Sequence, residues 1–295
     1  MKEFKEHNLS SYPYISSYTF RLMCDHGWLS DGDYTYCKGN IKSLRNGIDP
    51  NNVKEGDKIY VVTEYLDIYF KEIHPKIKHK YILVTGRCDR GVGNNEIKYL
   101  DDKIIHWYSS NVEVEHHRLT QIPLGLQNRH WRIKHHPQSD IELMKEVNEL
   151  VLEKNNDVLL SFQIHTNRGE RKNCYDYFNG KDFVKTRNYN EGNRIDREFV
   201  KDYFMDIKKS KFVVCPFGGG FDCHRNWEVF SLGSFPIIKK HKSMENFYDM
   251  PVWFVNDWSE VTEESVKSKY DELVNGDYNT DKILFDYWYK KINNI

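Results

Sequence analysis

Apolar residues along this chain fall into short β-rich runs separated by stretches with helical spacing. Residues 59–62, 81–85, 104–108 and 121–124 read as strands, and 64–73, between the first two, reads as a helix. The second half repeats the alternation. Residues 140–154 carry Ile141, Met144, Val147, Leu150 and Val151 at helical spacing, and 158–164 and 183–187 read as strands. A helix at 196–209, a strand at 211–216, a helix at 223–232 and strands at 235–239 and 252–255 follow. Helices at 259–275, capped by Ser259, and 282–292 complete the series. The residues before Lys58 are aromatic-rich, with turn signals at Asp31-Gly32 and Asp49-Pro50. Two successive α/β alternations predict two doubly wound domains facing each other, residues 1–138 and 139–295, joined through the His- and Pro-containing stretch 129–139. The terminal helix could pack back on the first of them.

Residues 210–240, SKFVVCPFGGGFDCHRNWEVFSLGSFPIIKK, are the most informative stretch. The strand at 211–216 runs directly into Gly218, Gly219 and Gly220. Asp222 stands where an N-cap would, a helix follows until Gly233, and an apolar strand resumes. Strand, glycine loop, helix and strand make a unit suited to phosphate, because loop amides lack side-chain cover and the helix N-terminus adds positive partial charge. Arg225 falls in the first helical turn and Glu228 three residues later, so both project from one face. Arg225 could grip a diphosphate bidentately and Glu228 could accept from vicinal hydroxyls such as those of a ribose. Alone, the two could equally be an exposed ion pair worth about 0.2–0.5 kcal/mol; the adjoining glycine loop and Asp222 favour the ligand reading.

This string resembles the signature of the exostosin-like glycosyltransferases: Pro216, Gly218, Gly220, Asp222, Arg225, Trp227, Glu228, Gly233 and Pro236 all fall in its register. Residues 80–89, 106–126 and 251–258 resemble further segments of short, soluble exostosin-like enzymes, including those of large DNA viruses, so that the likeness runs over residues 56–273. Arg87 and Cys88 depart from the family pattern, which expects Asn and a small polar residue there. The resemblance implies a GT-B fold with two Rossmann-like domains about a central cleft, and the nucleotide-sugar in the C-terminal domain. It implies an inverting, metal-independent glycosyltransferase of the EC 2.4 class, moving sugar from a nucleoside-diphosphate donor, UDP-sugar first among the candidates, to a glycan or glycoprotein. No cofactor is expected.

Composition narrows the alternatives. Among 295 residues the net charge is -1, so a global pull toward nucleic acid or anionic membrane is not expected and phosphate binding has to be local. Six cysteines without a CxxC pair give neither a disulfide framework nor a zinc ribbon. No apolar run approaches the roughly 20 residues of a membrane span, and the N-terminus lacks the apolar core of a signal peptide, so the expected compartment is the cytoplasm.

Other candidate groups carry both a functional and an ordinary reading. Arg168 and Arg171 follow the strand at 158–164, where doubly wound sheets gather ligands, and could neutralise a diphosphate; the alternative is a charged surface loop. Arg171 leads, because it matches the family position. Asp89, with Gly91 and Gly93 near it, is the first candidate for a general base, or else a turn-forming residue; His116 or His117 could substitute. Asp31-Gly32-Asp33 has the form of a metal-binding Asp-x-Asp but reads better as a surface turn, and the histidines at 116, 117, 130, 135 and 136 make no metal-ligand spacing. The rival functions are a catalytically inactive nucleotide-sugar or glycan-binding module and, lower, an oxidoreductase or kinase, whose glycine fingerprints are missing.

Overall fold

The computed structural model describes residues 13–27, 48–126, 140–187 and 197–294. Asp31, Asp33, His130, His135, His136 and the stretch 129–139 lie outside the described residues. The chain divides into two compact units, Ile15–Leu124 and a second made of Met1–Tyr14 with Gly125–Ile295.

The first unit contains α1 (Ser17–Leu22), β1 (His26–Gly27), β2 (Lys58–Val62), α2 (Leu66–Glu72), β3 (Tyr81–Gly86), β4 (Ile104–Ser109) and β5 (Leu119–Gln121). Its five strands are parallel, in the order β1-β2-β3-β4-β5. Every residue of β3 is buried, as a central strand covered on both faces requires, which explains its unbroken apolar run. The strand expected at 121–124 begins two residues earlier, as the three-residue β5. Just beyond the C-terminal ends of β3 and β4, Arg87 and Asn111 have positive φ, 70° and 53°, a region that non-glycine residues enter rarely. Gly91 fits against Asn111 only for want of a side chain: a Cβ there would meet the Asn111 carbonyl oxygen at 1.9 Å.

The second unit holds α3 (Asp140–Glu149), β6 (Asn156–Leu160), α4 (Arg168–Phe178), β7 (Val184–Thr186), α5 (Arg197–Lys208), β8 (Ser210–Val214), α6 (His224–Ser231), β9 (Phe235–Lys239), β10 (Trp253–Val255), α7 (Glu263–Asn275) and α8 (Phe285–Asn293). All its strand pairs are parallel and the order is β10-β9-β8-β6-β7. Val158, Leu160, Phe212, Val214, Ile237 and Trp253 from the sheet pack with Cys174 and Phe178 of α4. Lys154 is held by its Nζ donating to the carbonyl oxygens of Lys208 and Ser210 and to Ser234 Oγ. Burial lowers its pKa to about 8.

Three expectations shift. The charged stretch at 166–172 is not a loop: α4 begins there, with Asn167 as N-cap accepting from the Glu170 amide. Ser259 does not cap α7, which is capped by Thr262, while Ser259 sits in a short 3-10 turn capped by Asp257. The terminal helix α8 belongs to the second unit. Its first residue, Phe285, donates its amide to Pro13 O at 2.8 Å, and Tyr14 forms an antiparallel bridge with Leu284.

Candidate functional site

Strand order selects the place. From β6 the chain passes through α4 to β7 on one side, then returns through α5 to β8 on the other side of β6. The connections leaving β6 and β8 therefore diverge at their C-terminal ends. This is the topological switch point, where open α/β sheets bind ligands. Both predicted arginines come from these two connections.

Arg171 sits in the first turns of α4 and Arg225 in the first turn of α6, only 6% and 9% exposed. Their guanidinium carbons lie 5.8 and 5.7 Å from the ring centre of Phe162, just past β6. Two cations thus lie against one aromatic ring, an arrangement that the ring's quadrupole favours. Arg171 also donates from Nε to Phe217 O at 2.9 Å and from Nη1 to Gln163 O at 2.8 Å, tying the end of β6 to the glycine loop. Burial, and then the charge of Arg225, lowers its pKa to about 10. That shift records concentrated positive charge in a poorly solvated place, which an anion would relieve. Arg168, by contrast, is exposed.

The glycine loop is shaped from behind. Asn167 Nδ2 donates to Gly218 O at 2.9 Å, and the Gly218 amide donates to Gly220 O at 3.0 Å. The Gly218 amide, expected to meet phosphate, is therefore spent inside the loop. Since N–H and C=O point oppositely across a trans peptide, the Gly219 amide faces away from Asn167. Gly219 is also exposed, whereas Gly218 and Gly220 are buried. Gly218 is closely crowded: a Cβ would lie 3.1 Å from both Arg171 Nη2 and Cys223 Sγ, so either side chain would have to give way by a few tenths of an ångström. Phe221 stacks on His241 with ring centres 3.5 Å apart, and Phe217 meets both rings edge-on, so the loop leans on the end of β9.

Asp222 is corrected by the structure. It does not cap the helix; Cys223 is the N-cap residue and makes no side-chain cap bond. The Asp222 carboxylate is 1% exposed and accepts from Asn226 Nδ2 at 3.0 Å and from Trp227 Nε1 at 2.9 and 3.1 Å. It braces the loop against α6 from within. Glu228 accepts at Oε2 from the Tyr203 hydroxyl of α5, at 2.9 Å. Phe162, Asn167 and Tyr203 were not singled out in the sequence. Asn167 had a local signal, Asn-x-x-Glu before a helix. Phe162 and Tyr203 look like ordinary apolar-face residues, and only the tertiary structure sets them beside Arg171, Arg225 and Glu228.

In the first unit, Asp89 is exposed just beyond β3. His116 and His117 stack on each other, ring centres 4.4 Å apart, and His116 Nδ1 accepts from the Arg118 amide. Among the described residues no three or more His, Cys, Asp or Glu side chains converge as a metal site, no helix is long and apolar enough to cross a membrane, and Cys24, Cys88, Cys174, Cys215 and Cys223 are free thiols.

Residues 171–294 match the family model of the RXYLT1 C-terminal domain, from Arg171 through the glycine loop, Arg225 and Glu228 to the last helix. By that match, residues 171–294 are similar to a domain of an exostosin-like family. The matched stretch contains every residue predicted for the donor side. The two parallel five-stranded α/β units fit two Rossmann-like domains. No curated protein matches the chain. Among solved structures it is similar to Anabaena HepE in complex with UDP-glucose, at 9% identity and a TM-score of 0.37, over 79% of this chain and 74% of that one. It is also similar to an alpha1,3-fucosyltransferase, at 12% identity and a TM-score of 0.37, over 84% and 94% of the two chains. A pneumococcal O-GlcNAc transferase, GtfA, in complex with UDP and GlcNAc matches at 9% identity and a TM-score of 0.37, over 82% and 57%.

Proposed function

We propose that the chain is an inverting, metal-independent glycosyltransferase that takes a nucleoside-diphosphate sugar, UDP-sugar foremost, and glycosylates a glycan or glycoprotein. The observation that carries this reading is the pair Arg171 and Arg225, buried side by side over Phe162 at the switch point of the second sheet. A diphosphate seated there offsets two desolvated cations. As the glycosidic bond breaks, charge grows on the leaving oxygen, and fixed donors already aimed at it stabilise the transition state more than the ground state. The Gly219 amide and the N-terminus of α6 add to that field.

Glu228 accepts from the ribose hydroxyls. A carboxylate then has to remove the acceptor proton, and Asp89, exposed beyond the C-terminal end of β3, is the residue assigned to that step. With arginines supplying the electrophilic stabilisation, a divalent ion is redundant.

The test is incubation with a panel of nucleoside-diphosphate sugars, following released nucleoside diphosphate, beside thermal-shift measurements with the same compounds. Turnover that disappears in Asp89→Asn supports the whole scheme. Donor binding without release of diphosphate to any acceptor would make the protein a nucleotide-sugar-binding module instead.

A further inference from the structure

Tyr203 is 4% exposed, on the face of α5 that also buries Val200, Phe204 and Ile207. A tyrosine so placed in an apolar layer brings a hydroxyl that needs a partner. The hydroxyl donates to the carboxylate of Glu228, on the neighbouring helix α6. An ionised carboxylate only accepts, through two oxygens. The phenol engages Oε2 at 2.9 Å. A carboxylate held at one oxygen loses the broad, nearly two-fold rotation its last torsion otherwise has, so Oε1 keeps one direction.

We propose that Tyr203 is a positioning residue that orients Glu228 toward the ribose, and so sets the preference for ribonucleotide over deoxyribonucleotide donors. This rests on the reading of Glu228 as the ribose acceptor. The Glu228 carboxylate, aimed by Tyr203 through Oε2, offers Oε1 to a sugar hydroxyl in a geometry that needs no reorganisation on binding. Removing the phenol oxygen leaves Glu228 charged and present but lets its carboxylate turn.

The experiment measures calorimetric dissociation constants of the full chain for UDP, GDP, ADP and CDP and for the 2′-deoxy and 3′-deoxy form of each. The tightest ribonucleotide and its two deoxy forms are then carried through Tyr203→Phe, Glu228→Gln and the double variant. Tyr203→Phe keeps the buried ring, and a parent-like thermal transition verifies the fold. The expected result is about a fivefold loss for the ribonucleotide, the size of one hydrogen bond's net contribution, with a deoxy form within twofold of its parent value. The double variant should bind no more weakly than Glu228→Gln. Equal weakening of ribo and deoxy forms, or no weakening of either, overturns the role of Tyr203. If Glu228→Gln itself leaves the ribo-to-deoxy ratio unchanged, the ribose reading of Glu228 fails, and the role of Tyr203 fails with it.

Discussion

The brace at Asp222 lends itself to a quantitative test. Asp222→Ala removes a 1% exposed carboxylate whose oxygens take the Asn226 amide and the Trp227 indole N–H. Both donors lie on buried residues of α6. Leaving a buried donor unsatisfied costs about 1–3 kcal/mol, so two orphaned donors should cost about 3 kcal/mol together, after partial relaxation. That is a large share of the roughly 5–15 kcal/mol that holds a typical domain. The loss is local, so amide hydrogen exchange resolved along the chain is the suitable assay. Protection of the loop at 216–222 and of α6 should fall about a hundredfold in Asp222→Ala, while β2, β3 and β4 are unchanged. Asp222→Asn retains one carbonyl oxygen for the indole, and its penalty should be about half as large. If α6 protection in Asp222→Ala stays within threefold of the parent, the brace is not what holds the loop. If Asp222→Asn keeps the protection but loses donor binding a hundredfold, the carboxylate contacts the ligand directly.

Other outcomes follow from the same geometry. Arg225→Ala should cost about 3 kcal/mol in kcat/KM, roughly a hundredfold, with an unchanged melting transition; normal turnover in a folded variant excludes the electrophilic role. Activity should survive excess EDTA, with Asp31→Asn and Asp33→Asn near neutral, whereas loss in chelator restored by Mn²⁺ and abolished in those variants would overturn the mechanism. For Lys154, with its pKa about 8 in the fold against the ordinary 10.5 of the amine, the unfolded chain binds more protons between those values. Its contribution to stability therefore rises with pH through that window and is flat below it. Denaturant titrations should show parent stability gaining on Lys154→Met between pH 8 and 10.5; a constant difference removes the basis for the shift.

Much of the second unit is legible because its strands are fully covered and its connections carry local signals. β9 spans the residues expected, and Gly233, at φ 71°, ends α6 as expected of a glycine there. The site is readable as far as its chemistry is local: the glycines, Arg225 and Glu228 lie within one strand–loop–helix unit. Asp222 was misread because a residue before a helix caps it by default, and only Asn226 and Trp227, one turn further on, reveal a better use for its oxygens. Arg171 lies in α4 and not in the surface loop that was its ordinary reading, since the polar run at 166–172 has no apolar period to show that α4 has begun. Phe162 and Tyr203 act across strand order, through partners 63 and 25 positions away. No local pattern encodes that.

The pairing of Pro13 and Tyr14 with Leu284 and Phe285 bears on how the molecule is assembled during synthesis. Ile15–Leu124 is one uninterrupted stretch and can close as soon as it leaves the ribosome. The second unit cannot. One of its pieces precedes the first unit in the chain and must wait, unpaired, until Leu284 and Phe285 have been made. The unit that carries both arginines is thus completed after the first, by a contact of long sequence separation, a slow kind to form. A nascent chain stalled short of residue 284 would display a finished first unit beside an open second one, a state that pulse proteolysis of arrested chains would detect.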